Sequence, residues 1–204
     1  MKKKVLVVDL DGTLYNVNTF HYFLKFLVFY SFRKFKFYLF SALFWIMLLR
    51  LFRFVTHAKM KYYVLKTIEP YKLDYSRFVE SIKKHKRHIE EIYNPEFGIK
   101  ILATAAPSCY ANIIANSEKF DVCLGTEFPA KLFSTDYENK SEVKKKNVLQ
   151  YLQSVGDYKI DTLVTDHLDD LPLMNIAQNN IVYNPNQFTV EELSKSAVTF
   201  KSRV

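Results

Sequence analysis

Two aspartates near the start of the chain, Asp9 and Asp11, are the clearest candidates for chemistry. They end an apolar Val/Leu run that begins at Lys4, and such a run predicts a strand buried on both faces of a parallel sheet. Two carboxylates at a strand end can converge on one divalent cation and one phosphorus centre. Gly12 permits the tight turn that must follow. Asp-x-Asp alone also occurs in calcium loops and solvated turns, whereas a strand followed by Asp-x-Asp-Gly-Thr is far more specific.

The run Asp-Leu-Asp-Gly-Thr at residues 9–13 resembles the first motif, DxDG[TV], of the haloacid dehalogenase (HAD) superfamily of phosphohydrolases. The family's other motifs are expected near the ends of later strands, and each has a counterpart in the right order. Thr104 ends a second apolar run and matches the second motif, although Thr104 alone is more often a plain strand-end threonine. Lys144, at the start of a predicted helix, matches the lysine of the third motif. Asp166 and Asp170 follow a further strand and match the acidic fourth motif.

Two of these motifs leave details open. In the fourth, Thr165 replaces the usual Gly and His167 replaces a small residue, which puts the loop geometry and access in doubt but not the acids. His167 itself is expected to be an exposed loop side chain. In the third, Lys145 and Lys146 follow Lys144, so the motif lysine is ambiguous; Lys144 is favoured and Lys146 comes next.

The resemblance implies phosphoryl transfer to a carboxylate. Asp9 would attack phosphorus and form an aspartyl-phosphate, while Asp11 would protonate the leaving oxygen and then deprotonate the hydrolytic water. Magnesium, held by Asp9, the Asp11 carbonyl and Asp166, would screen the charge repulsion with help from Lys144. An acid at position 11 favours a phosphatase or mutase over a phosphate-storing ATPase or a dehalogenase. The supporting positions are Thr104 and Ala105, which would hold phosphoryl oxygens together with Lys144, and Thr13 and Asp170, which would stand behind the metal ligands.

Short apolar runs that alternate with helical patterns predict the scaffold for these residues. The predicted fold class is α/β, a Rossmann-like, HAD-like parallel sheet with an all-helical cap inserted after the first strand. Ligands of such sheets bind at the carboxyl ends of the strands, where the motifs fall. The expected division is a catalytic core of residues 1–16 and 97–204 and a cap of residues 17–96. The predicted strands are 4–10, 99–103, 122–124, 160–164 and 181–183, and the core helices are 108–120, 143–155 and 171–179.

The charge and the aromatic residues concentrate in the cap, for which helices are predicted at 20–30, 37–54 and 75–92. The chain has a formal net charge of +8 and 18 Phe. Between Asp11 and Glu69 there is no acidic residue, but there are nine lysines and arginines, 11 of the Phe and the only Trp, Trp45. The rest of the chain is therefore close to neutral. A uniformly basic nucleic-acid surface describes this pattern poorly, so no nucleic-acid partner is expected, and no feature implies a protein partner.

The first two cap helices have the composition of segments that meet a membrane. Residues 37–49 are 13 consecutive uncharged residues, fewer than the roughly 20 that a spanning helix needs. Rows of Phe with Trp and Tyr, bordered only by cations, favour helices that lie in or re-enter the headgroup region of an anionic membrane. The alternatives are a soluble cap whose aromatic helices pack on each other, and a tilted span with its flanking cations at the interface.

The order of features from Asp9 through Phe20, Phe23 and Leu24 into an apolar, basic hairpin is similar to the phosphatidylglycerophosphatase C type of the superfamily. That resemblance implies a magnesium-dependent phosphatase of a lipid phosphomonoester, either phosphatidylglycerophosphate or a polyprenyl-linked phosphate, at the cytoplasmic side of the cell membrane. One alternative is a soluble, cytoplasmic, phosphoserine-phosphatase-like hydrolase of small metabolites. Another is a membrane-associated scaffold with a HAD fold, against which the retention of Asp9 and Asp11 speaks.

The cysteines and the start of the chain bear on the compartment. Cys109 and Cys123 form no metal-spaced pair and no disulfide framework, as expected in a reducing compartment. The apolar run near the start ends at Asp9 after only four residues, too soon for an export signal. Both observations favour a site that faces the cytoplasm.

Overall fold

A six-stranded parallel sheet lies at the centre of the computed structural model, which describes residues 3–156 and 158–204. Its order is β3-β2-β1-β4-β5-β6, so the earliest strand lies between the two that carry the later motifs. Val8 of β1 pairs with Leu102 on one side and with Val164 on the other. The strands are β1 (Lys4–Val8), β2 (Phe97–Pro107), β3 (Val122–Thr126), β4 (Ile160–Thr165), β5 (Asn179–Tyr183) and β6 (Lys201–Arg203).

Two apolar layers cover the two faces of the sheet, because alternate residues of a strand point to opposite faces. Leu6 and Val8 pack in one core with the helices inserted after β1 and with the helix that follows β2. Val5 and Val7 pack in the other core with the later helices. The predicted α/β fold class with a Rossmann-like sheet is confirmed. The helices outside the insert are α6 (Ser108–Ser117), α7 (Glu142–Val155), α8 (Leu171–Met174) and α9 (Gln187–Lys195).

The chain between β1 and β2 forms helices, as the sequence predicts, but their bounds differ from the prediction. The first two helices agree within a few residues. A helix at His57–Ile68 was not predicted, although Thr56 caps its start and its buried residues recur with helical spacing. The helices of the insert are α1 (Thr19–Arg33), α2 (Phe37–Leu51), α3 (His57–Ile68), α4 (Tyr75–Ile82) and α5 (Glu90–Tyr93). The division into domains at 16/17 and 96/97 stays a prediction.

The predicted helix at 75–92 is wrong beyond Ile82, where α4 ends and a short 3₁₀ turn follows. The reason is tertiary. The backbone N–H of Arg87 donates to the carbonyl of Leu14 at 2.8 Å, and its guanidinium donates to the carbonyls of Gly12 and Thr13. These bonds hold the segment extended against the loop after β1, which a continuous helix would not allow.

The C-terminal part also differs from the prediction. The helix predicted at 171–179 ends at Met174, because Asn179 already pairs with Thr162 as the first residue of β5. Neither α9 nor β6 was predicted. Asn186 caps the start of α9 by accepting a hydrogen bond from the N–H of Thr189 at 2.8 Å. β6 has only three residues, too few for a recognisable pattern.

The insert presents much of its apolar surface to solvent. Within the residues that the structure describes, no helix combines the length and the apolarity needed to cross a bilayer. The exposed large apolar side chains of the first two helices and the turns that flank α2 form what we call the aromatic patch. Its members are Phe29, Phe32, Phe35, Phe37, Tyr38, Phe44, Trp45, Leu49, Leu51, Phe52 and Phe54.

Candidate active site

A buried lysine connects two of the predicted motifs. Lys144 lies in the first turn of α7, and its Nζ is 2.8 Å from Oδ1 of Asp9 and 2.6 Å from Oδ1 of Asp170. Thr165 donates its hydroxyl to the other oxygen of Asp170 at 2.7 Å. The structure therefore places Lys144 at the predicted position. Lys145 instead approaches Glu142 on the surface of the helix.

The second aspartate of the first motif is held by the insert. The backbone N–H of Thr19, the first residue of α1, donates to Oδ1 of Asp11 at 2.7 Å. The free N–H groups and the dipole at a helix start both favour a carboxylate there. Burial raises the pKa of Asp11, although the hydrogen bonds from Thr19 oppose that shift. The first helix of the insert thus fixes the orientation of this carboxylate.

The turn after Asp11 brings the fourth motif against the first. Gly12 has φ +74°, and a Cβ at this position would overlap the carboxylate of Asp166. Glycine is required here for two reasons: the backbone of another residue would be strained at this φ, and its side chain would displace that carboxylate. Thr13, which is buried, donates its hydroxyl to Oδ1 of Asp166 at 3.3 Å. This is the contact that its predicted supporting role requires.

The end of β2 contributes the second motif. Thr104 is buried, and its hydroxyl oxygen accepts a hydrogen bond from the N–H of Ala106 at 3.0 Å. The side-chain amide of Asn139 donates to the carbonyl of Thr104 at 3.0 Å and to that of Leu124 at 2.6 Å. Asn139, from the loop before α7, therefore fixes the ends of both strands. No motif in the sequence points to Asn139.

A second buried lysine reaches this cavity from the insert. Lys61, on α3, donates to the carbonyl of Ala105 at 2.7 Å and forms a very short ion pair with Glu138. His57 lies one turn earlier on α3, with Nδ1 3.7 Å from Glu138. This group, Lys61, Glu138 and His57, was missed because its residues match no motif and Glu138 is 77 positions from Lys61. The only signal in the sequence is that no acidic residue lies between Asp11 and Glu69, the segment that contains Lys61.

Burial and the attraction of opposite charges act against each other on Asp9 and Lys144, and the pKa values of both groups are raised. Burial, together with the charges of Asp170 and Asp166, outweighs the attraction of Lys144 and raises the pKa of Asp9 to about 8. Burial alone would lower the pKa of Lys144, but the charges of Asp170 and Asp9 outweigh it and raise that pKa. The ammonium of Lys144 therefore stays charged beside the two carboxyl groups.

The pKa values of the Lys61 and Glu138 pair are both lowered. Burial opposes ionisation of Glu138, but the neighbouring His57 imidazole and the charge of Lys61 outweigh it and lower its pKa to about 2. For Lys61, burial outweighs the attraction of Glu138 and lowers the pKa. Glu138 stays ionised because its carboxylate lies beside two potential cations, Lys61 and His57.

These groups line one cavity of about 390 Å³ at the carboxyl ends of the strands. His167 is at its rim with an exposed side chain, as predicted. Lys145 and Lys146 lie outside it, and Thr13 stands behind it. The predicted residues that the cavity brings together are Asp9, Asp11, Thr104, Ala105, Lys144, Asp166 and Asp170.

The oxygen atoms at the carboxyl end of β1 are of a kind that fits a small divalent cation. In the described parts of the chain, no three His, Cys, Asp or Glu side chains are arranged to hold a metal by themselves. The expected site, however, has only two side-chain ligands, Asp9 and Asp166, and the backbone carbonyl of Asp11. All three are the hard oxygen donors that Mg²⁺ prefers. Burial raises the pKa of Asp166 to about 6, so its carboxylate lacks compensating charge that a cation would supply.

The parallel sheet, the motif order and the cavity at the strand ends together define a hydrolase of the HAD type. The model of the haloacid dehalogenase-like hydrolase family matches residues 6–175, and the chain belongs to that family. This membership confirms that the predicted enzyme is a HAD-type hydrolase. No curated protein matches the sequence. The finer resemblance to the phosphatidylglycerophosphatase C type stays a prediction.

Solved structures share the fold at low sequence identity. A protein of unknown function from Bordetella pertussis Tohama I superposes with a TM-score of 0.76 at 15% identity, over 98% of this chain and 99% of that chain. A phosphoserine phosphohydrolase-like protein from Francisella tularensis subsp. tularensis SCHU S4 gives 0.61 at 15% identity, over 98% and 94%. A substrate-bound phosphoserine phosphatase gives 0.57 at 14% identity, over 94% and 91%. At such identities the likeness establishes the fold.

Proposed function

We propose that this protein is a magnesium-dependent phosphomonoester hydrolase that works through an aspartyl-phosphate on Asp9. The observation that carries the proposal is the placement of the Lys144 ammonium 2.8 Å from Asp9, in the same cavity as Asp11, Asp166 and Asp170. A nucleophilic carboxylate meets an anionic substrate only if nearby cations offset their repulsion. Lys144, together with a magnesium ion held by the acidic oxygen donors, would offset this repulsion.

Apart from the metal ion and the hydrolytic water, the groups that react with the substrate all line the cavity. A carboxylate oxygen of Asp9 attacks phosphorus, the bond from phosphorus to the leaving oxygen breaks, and Asp11 gives its proton to that oxygen. Asp11 next takes a proton from water, whose oxygen attacks phosphorus. The bond between phosphorus and Asp9 breaks, and both aspartates return to their starting states. Lys144 neutralises the phosphoryl oxygens throughout, and the N–H of Thr19 holds Asp11 in place.

Magnesium would be held by Asp9, Asp166 and the carbonyl of Asp11. When bound, it supplies charge neutralisation at the phosphoryl group. The turn at Gly12 brings the acid of the fourth motif within reach of the first, and Thr13 orients it.

The test of this chemistry is Asp9→Asn. With p-nitrophenyl phosphate and Mg²⁺, the variant should lose at least about 10³-fold in kcat, as expected when a covalent nucleophile is removed. Asp136→Asn, an exposed carboxylate in the loop before α7, is the matched control and should be fully active. Chelation of metal should abolish the activity of the parent and Mg²⁺ should restore it. Equal turnover by Asp9→Asn and parent would refute the mechanism.

We further propose that the substrate is a phosphorylated lipid, met at the surface of an anionic membrane. The aromatic patch supports this, since Phe35, Trp45 and Phe54 are 61–75% exposed and would otherwise face water. Five cations lie around the patch with no acid among them: Arg33, Lys34, Lys36, Arg50 and Arg53. Apolar rings bordered by cations match the chemistry of an anionic bilayer interface.

The aromatic patch is linked to the site through α1, which carries both Phe29 of the patch and Thr19, the hydrogen-bond donor to Asp11. Docking through the patch would bring the cavity near the headgroups. The resemblance to the phosphatidylglycerophosphatase C type favours phosphatidylglycerophosphate, and a polyprenyl-linked phosphate has the same reacting group. Such an enzyme would work on the cytoplasmic side of the cell membrane.

A panel of lipid and soluble phosphomonoesters, assayed with and without vesicles of an anionic phospholipid, separates this proposal from its alternatives. The lipid proposal expects higher kcat/KM for lipid phosphates and stimulation by vesicles. Preference for small metabolites without stimulation would favour the soluble phosphoserine-phosphatase-like alternative, and no hydrolysis at all would favour a scaffold.

Vesicle flotation tests the docking itself. Trp45→Ala with Phe54→Ala removes two exposed rings of the aromatic patch and should weaken binding to anionic vesicles at least tenfold. Phe188→Ala with Leu132→Ala removes two equally exposed side chains elsewhere and should bind as the parent does. If the intact protein does not float with anionic vesicles, membrane docking is refuted.

A further inference from the structure

A second cavity, almost wholly apolar, opens between α1 and α2. It is open to solvent and has a volume of about 590 Å³, within the range of small-molecule sites. Leu24, Val28 and Phe32 form its wall on α1, and Phe40 and Met47 form its wall on α2. These residues recur with the spacing of one helix face on each side. We call this cavity the α1–α2 groove.

The groove is apolar along most of its length and cationic at one end. Its residues on α1 extend from position 21 to position 32, about 16 Å along the helix axis at 1.5 Å per residue. The polar groups that line it, His21 and Lys25, both lie in the first two turns of α1. Among the described residues, no acidic side chain lines it. An occupant with an anionic end and a long apolar body matches this distribution of charge.

The cationic end of the groove adjoins the candidate active site. The rings of His21 and His57 are 6.3 Å apart between centroids, and His57 lines the active-site cavity. Phe20, which precedes His21 on α1, also lines that cavity and contacts the ring of His57 at 5.6 Å. The same turn of α1 therefore bounds the groove on one face and the reacting groups on the other.

We propose that the α1–α2 groove binds the hydrocarbon chain of the substrate whose phosphate occupies the active site. This rests on the proposed function and assigns to the enzyme a phosphomonoester with a long, linear hydrocarbon chain. The chain enters past His21 and follows α1 toward Phe32, while Lys25 offsets the negative charge of the headgroup. The groove thus selects substrates by chain length, independently of any contact between the protein and a bilayer.

Linear alkyl monophosphates of increasing length, assayed without vesicles and below their micellar concentrations, test the proposal. From butyl to dodecyl phosphate, kcat/KM should rise about two- to fourfold per methylene until the groove is filled. Val28→Trp and, from the other wall, Met47→Trp should abolish this rise by filling the groove, while leaving the turnover of p-nitrophenyl phosphate within twofold. Leu51→Trp, at the exposed end of α2 outside the groove, is the matched control and should keep the rise.

The outcomes separate this inference from the function on which it rests. No hydrolysis of p-nitrophenyl phosphate by the parent would refute the proposed function itself. Normal hydrolysis with no dependence on chain length, or a dependence unchanged in both groove variants, would overturn the groove proposal alone. The groove proposal would also be overturned if the groove variants changed only the sedimentation of the protein, because a second copy of the chain would then be the occupant.

Discussion

The ammonium of Lys144 contacts the carboxyl groups of Asp9 and Asp170. Asp9 follows β1, and Asp170 follows the neighbouring strand β4. Two carboxylates this close repel each other, and burial adds to the cost of their charge. A fixed cation between them favours the ionised form of Asp9, against the effect of burial, and orients its carboxyl group. It also ties the first turn of α7 to the end of the sheet.

Lys144→Met should therefore affect catalysis and stability together. Loss of the cation should lower kcat/KM for p-nitrophenyl phosphate about 10²- to 10³-fold, and the free energy of unfolding should fall by about 3 kcal/mol. Lys146→Met, two residues further on the same helix and exposed, should change stability by less than about 0.5 kcal/mol. Urea unfolding and steady-state kinetics measure both effects. Equal losses in the two variants would mean that Lys144 is not the motif lysine.

Asp11→Asn should leave the first half of the reaction in place and impair the second. The phenolate of p-nitrophenyl phosphate leaves without protonation, so Asp9 can still be phosphorylated. Hydrolysis of the aspartyl-phosphate should slow by about 10²- to 10⁴-fold, the usual contribution of a general base. Rapid-mixing kinetics should then show a burst of p-nitrophenol followed by a slow steady state. An unaltered steady-state rate would exclude Asp11 as the base.

The resemblance to the HAD motifs predicts the acids and Lys144, and local pattern places each of them after a strand or at the start of a helix. Lys61 and Glu138 could not be predicted in the same way. They are 77 positions apart, and only the packing of α3 against the core brings them together. Asn139 likewise donates hydrogen bonds to carbonyls of two different strands, and no spacing in the sequence encodes those contacts.

At the scale of elements, the insert is fastened to the core on both sides of the cavity. α1 begins at the carboxylate of Asp11, and α3 carries Lys61 to the end of β2 and to Glu138. Arg87 ties the far end of the insert to the turn at Gly12. That last contact explains why the amphipathic pattern beyond Ile82 does not form a helix, since tertiary hydrogen bonds override helical propensity.

The ion pair of α3 should make stability depend on pH in the acid range. The pKa of Glu138 is lowered from 4.5 to about 2 in the folded protein. A lowered carboxyl pKa contributes stability that is fully present above pH 4.5 and is lost as the pH falls toward 2. The contribution should be about 3 kcal/mol at neutral pH. Glu138→Gln removes it, so the difference in unfolding free energy between parent and variant should shrink across this window.

Urea unfolding at a series of pH values measures that difference. Glu96→Gln is a suitable control, because its partner Lys4 is on the surface and exposed pairs contribute little. A difference between parent and Glu138→Gln that stays constant from pH 6 to pH 3 would contradict the assignment.

For the whole molecule, the charge and the chemistry occupy separate regions. The aromatic patch and its cations lie on α1, α2 and the turns around them, whereas the acids of the site follow strands of the sheet. Membrane attraction through this region should combine a salt-sensitive part, from the cations, with an apolar part that salt does not weaken. The two parts can therefore be separated by ionic strength and by charge reversal.

Lys34→Glu with Lys36→Glu should weaken binding to anionic vesicles strongly and binding to neutral vesicles little. Each cation near an anionic surface contributes about 1 kcal/mol, so reversal of two should lower the partition coefficient by more than tenfold at low salt. Lys84→Glu with Lys201→Glu makes the same change of net charge at exposed positions away from the patch and should have a much smaller effect. Between about 0.1 and 1 M salt the Debye length falls from about 10 to 3 Å, and the difference between the two variants should disappear. If both variants lose equal affinity at low salt, the net charge of the protein, and not the position of the cations beside the aromatic patch, directs it to the membrane.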